Sequence, residues 1–127
     1  SDRARTDMRE YAAHTIASVM HVALARATDD EIAATLPLVD ALRDAESSRS
    51  YVAAALDLYG HLVAESRNVV FRKAFEQTDL VLRRNLDGWA SIDDDTREPL
   101  FRHLREQIAR RDANGACWSF LTLHGFA

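Results

Sequence analysis

Apolar residues recur three and four positions apart along most of this chain, the period of a helix with one face on a core. Six segments carry that period, separated by short polar breaks. The first predicted helix runs from Thr6 to Arg26, with Met8, Tyr11, Ala12, Thr15, Val19, Val22 and Ala23 on its inward stripe. Thr28-Asp29-Asp30-Glu31 has the form of a capping box. There the Thr28 hydroxyl and the Glu31 carboxylate satisfy free N–H groups at a new helix start. The second helix carries Ile32, Leu36, Leu38, Val39 and Leu42, with Pro37 as a kink or boundary inside it. Ser47 to Ser50 is the next break. After the third helix, Asn68 caps a fourth. It turns Val70, Phe71, Phe75, Leu82, Leu86 and Trp89 inward, and Arg72, Lys73, Glu76, Arg83 and Arg84 outward. Ser91 to Asp95 is a polar, acidic loop. The fifth helix begins near Thr96, tolerates Pro99 in its first turn, and has Leu100, Phe101, Leu104 and Ile108 as its stripe. Asp112 to Gly115 turns into a sixth helix through Ala116, Cys117, Phe120, Leu121 and His124. The predicted fold class is all-α, an antiparallel bundle of about six helices.

The third helix, Tyr51 to Glu65, departs from the others. Tyr51, Val52, Leu56, Tyr59, Leu62 and Val63 cover one broad side. The opposite side holds Ala53, Ala54, Asp57, Gly60, His61 and Ala64, where a surface helix would carry lysines and glutamates. A helix with no solvated face is a central one. Asp57 and His61 are four residues apart, so both project from that small-residue side. A carboxylate buried there needs a partner, because an unpaired one costs several kcal/mol. The partner is either a ligand or metal, or the imidazole itself in a structural pair.

Composition narrows the function classes. The 127 residues suit one domain, 1–127, and 47% hydrophobic with 28% charged residues is an ordinary globular mixture. The net charge is −4 and no basic run occurs, which excludes a phosphate-gripping surface on this chain. One cysteine, Cys117, offers no internal disulfide. There is no leader and no apolar run of about 18 residues, so the expected location is cytoplasmic and no membrane is involved. There is also no glycine-rich phosphate loop and no nucleophile with a matching base, so no enzymatic role is expected.

The order of three segments resembles a known family. "ARATDDEIAATLPLVDAL", then "YVAAALDLYGHLVAESRN", then "LREQIARRDANGACWSFLTLH" are similar to the FCD domain. That is the helical effector-binding and dimerisation domain of FadR-type transcription regulators in the GntR superfamily. The likeness spans Leu24 to His124, and the Asp-x-x-x-His helix followed by Ser-x-Asn is its strongest part. It implies a sensor that binds a small organic acid, pairs as a homodimer, and acts on DNA through a winged helix-turn-helix outside this chain. It also implies a divalent metal, zinc or nickel, at the bundle centre, held by the Asp and His of this helix and one His from each of the last two.

Asp57 and His61 match the first two ligand positions residue by residue. Counted without gaps, the third falls on Phe101, while His103 turns away from the fifth helix's stripe. The fourth falls on Leu123, although periodicity favours the neighbouring His124 as inward-facing. The implied effector and metal set is therefore Asp57, His61 and His124, with Phe101 where a further ligand is expected. The open alternative is no metal, with His61 meeting an anionic effector directly, helped by Arg67 or Arg72 near the next helix start. Asp57 and His61 are expected to line a central cavity facing the His124 stripe. The expected dimer faces are the first and fourth helices, with His14, His21 and Trp89 as contacts. The rival is a helical-bundle metalloenzyme. A ferritin-like site needs Glu-x-x-His pairs, and the chain has none.

Overall fold

The computed structural model describes residues 2–90 and 94–127. It contains α1 (Asp2–Arg26), α2 (Asp29–Asp44), α3 (Ser48–Ser66), α4 (Val69–Asn85), α5 (Asp94–Ala109) and α6 (Ala113–Leu123). No strand occurs among the described residues, so the chain is the all-α bundle that its periodicity predicts. Among the described residues no helix is long and apolar enough to cross a membrane.

The starts of four helices follow from local chemistry. Thr28 and Glu31 form the capping box that opens α2. Ser47 and Ser50 form a second box, which lengthens α3 by a turn beyond the predicted start at Tyr51. The Asn68 side chain accepts from Val70 and Phe71 at the start of α4, and Asp112 accepts from Gly115 at the start of α6. Pro37 does not end α2. The helix continues through it to Asp44, with Pro37 on the exposed face.

Five helices close a ring: α1 packs on α3, α3 on α2, α2 on α5, α5 on α6, and α6 on α1. The core inside that ring is filled by Ile16 and Met20 of α1, Leu42 of α2, Leu56 and Leu62 of α3, Leu104 and Ile108 of α5, and Phe120 of α6, all fully buried. α4 leans on α3 and α1 from outside the ring. Only Leu82 of α4 is buried, which is why α4 keeps a strongly charged outer face.

Two predicted stripes shift in the structure. On α1 the buried face is Ala12, Ala13, Ile16, Ala17, Val19, Met20, Ala23 and Leu24, while Tyr11 is half exposed. The face is wide because α1 is wedged between α3 and α6, so neighbouring positions are both covered. Trp89 is buried as predicted, yet α4 ends at Asn85 and Trp89 lies in the connection that follows. Of the polar loop expected at Ser91 to Asp95, residues 91–93 lie outside the described residues, and Asp94 and Asp95 already belong to α5.

Candidate functional site

α2 and α4 flank α3 but scarcely touch one another. The small-residue strip of α3 is therefore left open as the floor of a surface groove. Ala53, Asp57 and Ala64 are exposed along it. Phe75 of α4 covers Gly60, where a Cβ would come within 3.0 Å of its ring. The same ring meets Tyr59 edge to face at 5.0 Å. Toward the start of α3, a depression of about 510 Å³ is lined by Leu38, Ala41, Ala53, Ala54 and Asp57, with Asp44 and Glu46 at its rim. Toward the end of α3 a second, of about 400 Å³, is lined by Val63, Ala64, Arg67, Asn68, Val69 and Arg72.

This placement corrects the expected central cavity. The positions of α3 that face the core are Ala55, Leu56, Leu58, Tyr59 and Leu62, all at most 1% exposed. Asp57 points outward, and its side chain is 63% exposed, 3.5 Å from Arg83 of α4. The space around the small residues is real, but it opens to solvent rather than into the bundle.

His61 does gain a buried partner, though not Asp57. Glu65, one turn further on, is 1% exposed, and its Oε2 lies 3.1 Å from His61 Nε2. The Thr35 hydroxyl of α2 stands 3.0 Å from the same nitrogen. It is also 3.1 Å from each Glu65 oxygen and 2.8 Å from the Glu31 carbonyl. With its proton on Nε2, His61 donates to Glu65. Nδ1 then keeps a lone pair with no partner among the described residues. The side chain is 26% exposed. Burial raises the pKa of the Glu65 carboxyl, opposed by His61 and Thr35. The contacts to Glu65 and Thr35 fix the ring orientation of His61 through a buried group. The missed signal was the second i,i+4 step: Glu65 follows His61 as His61 follows Asp57.

His124 sits at the other end of α3. It caps α6 and is buried. Its Nδ1 donates to the Phe120 carbonyl at 2.7 Å, which leaves Nε2 to accept the Tyr51 hydroxyl at 2.7 Å. Trp89 and Phe120 lie against the imidazole with ring centroids 4.5 Å away. Burial lowers its pKa to about 4, so the ring is neutral, and both nitrogens are occupied within the protein.

The three expected metal ligands are not brought together. Asp57 faces solvent, His61 is turned to Glu65 and Thr35, and His124 is sealed behind Tyr51. Among the described residues no group of three His, Cys, Asp or Glu side chains is placed to hold a metal ion. Phe101 and Leu123, the gap-free positions of the two remaining ligands, are core residues at 2% and 0% exposure. The donor set of the implied centre does not fit. His103 is exposed, as expected. His14 and His21 are exposed on α1, but Trp89 is inside the fold and presents no dimer surface. Comparison with protein-family models, curated proteins and solved structures returns no match.

Proposed function

We propose that this chain is the ligand-sensing and self-associating module of a FadR-type transcription regulator, without a catalytic role. A small organic acid is its effector, and DNA is read by a domain outside the chain. The observation that carries this reading is the open strip of α3, with one histidine in its middle held in orientation by a buried carboxylate. The helix starts of the resembling segments add support: the Thr28–Glu31 box, the Asn68 cap and the Asp112 cap each do a defined structural job. The acid is taken at the α3–α4 corner. Arg67 and Arg72 line the depression there, and His61 lies one turn along α3 from Ala64, which also lines it. No metal takes part in this site.

Calorimetry with short mono- and dicarboxylates tests the proposal, before and after chelation and after adding zinc or nickel. Binding that survives chelation and is lost in His61→Ala or Arg72→Ala is the expected result. Equal affinity in both variants, with the helical fold retained, would remove this site.

A further inference from the structure

Arg67 and Arg111 are the non-glycine residues with positive φ among the described residues, at 51° and 60°. Arg67 caps the end of α3 and Arg111 follows the end of α5. Glycine is the ordinary occupant of such a position, because a Cβ is strained in the left-handed region. An arginine there needs a use for its side chain, and both side chains have the same one.

Arg67 Nη1 donates to the Arg26 carbonyl at 3.2 Å, and its Nη2 to Glu31 Oε1 at 2.7 Å. Arg111 Nη1 donates to the Leu24 carbonyl at 2.9 Å, and its Nη2 to Asp29 Oδ1 at 2.9 Å. Each guanidinium therefore spans one carbonyl from the last turn of α1 and one carboxylate from the first turn of α2. Those carbonyls have no intrahelical partner of their own. Arg26 returns the contact, donating to the Ser66 carbonyl at 2.8 Å. α1 and α2 are joined by two residues yet barely pack on each other. The two forks are thus a large part of what fixes this corner. They are also weak: the Arg67 side chain is 50% exposed and Glu31 29%, and exposed pairs yield to competing ions.

We propose that Arg67 and Arg111 form a paired latch on the α1–α2 corner, opened when an oxyanion bound beside Arg67 competes with Glu31 for its guanidinium. The competition rests on the effector site proposed above; the latch itself does not. Release of the corner frees the end of α1 to pivot, and α1 carries that motion as a rigid rod to the far end of the chain.

Hydrogen exchange read by mass spectrometry tests both halves on the full chain. Arg67→Gly with Arg111→Gly relieves the strained φ while deleting both forks, so the helix ends stay formed. Amides from Leu24 to Glu31 are expected to exchange about tenfold faster, with the segment around His124 unchanged. Arg67→Lys with Arg111→Lys keeps the charge without the fork and is expected to behave the same way. An unchanged corner, or uniform loosening of the whole chain, overturns the latch. In the wild type, succinate is expected to speed the same amides beyond sodium chloride at equal ionic strength. Succinate that binds by calorimetry without loosening the corner overturns the competition and leaves the effector site standing. Succinate that does not bind, with a corner that opens in the double variant, overturns the effector site and the competition while the latch stands.

Discussion

The two ends of α3 each hold a histidine on a different footing. Near its end, His61 reaches the surface and leans on the carboxylate of Glu65, which the fold encloses almost completely. At its start, the Tyr51 hydroxyl meets His124 inside a box of Trp89 and Phe120 rings. The first arrangement favours a bound proton and the second excludes one. Burial acts on both, but it disfavours the charged form, which is the deprotonated state of a carboxyl and the protonated state of an imidazole.

Stability should therefore respond to pH with opposite signs at the two ends. Folding raises the Glu65 pKa above 4.5, so its contribution is full below pH 4.5 and is lost as pH rises through the folded value. Folding lowers the His124 pKa from 6.5 to about 4, so its contribution is full above pH 6.5 and is lost as pH falls through about 4.

The largest effect is expected from opening the aromatic box. Trp89→Ala removes a large, fully enclosed side chain and should cost about 3–5 kcal/mol in urea unfolding. It should also let the His124 pKa rise toward that of a free imidazole, read by NMR titration. A loss well under a kilocalorie would mean that the ring is not a structural lid.

Next is the acid limb. Between pH 6.5 and about 4, His124 should account for about 3 kcal/mol of lost stability. His124→Phe should flatten that limb in denaturant series at stepped pH, leaving the alkaline side as it was. An unchanged acid slope would assign the loss to carboxylates elsewhere.

A smaller effect is expected at the His61 end. Glu65→Gln keeps a hydrogen-bonding group but deletes the charge, so the loss of stability assigned to Glu65 as pH rises above 4.5 should shrink. Glu65→Ala leaves the Thr35 hydroxyl and His61 without their partner and should cost about 1–3 kcal/mol. Full stability of Glu65→Ala in urea unfolding would break the assignment of Glu65 as the partner of Thr35 and His61.

The smallest effect belongs to Asp57. Asp57→Ala removes an exposed 3.5 Å contact with Arg83 and should change stability by at most about 0.5 kcal/mol. Effector affinity should not change either. An affinity loss like that of His61→Ala would return Asp57 to the site.

Much of the architecture was legible beforehand because it is written in local terms. Helical period, the Thr28–Glu31 box, the Asn68 cap and the stripe of Leu100, Phe101, Leu104 and Ile108 depend on residues within a turn or two of each other. The pairing of Asp57 with His61 used the same logic and went astray. Spacing shows that two side chains share a face; it does not say what lies opposite that face. The small strip was assigned to the interior because it lacked charge, and it proved to be the floor of a gap between two helices that do not meet.

By itself, then, the sequence determined an all-helical chain, the places where its helices begin, and the one helix with a face unlike the rest. Tertiary structure alone decided that this face is a surface groove, that His61 answers to Thr35 and Glu65, and that His124 is locked behind Tyr51 and Trp89. It also decided that arginines near the helix ends close the α1–α2 corner. The physical reason is range. Hydrogen bonds of caps and the period of a helix act over a few residues. Burial and ion pairing depend on which surfaces meet, and here Thr35 and His61, or Leu24 and Arg111, meet across separations that no local pattern encodes.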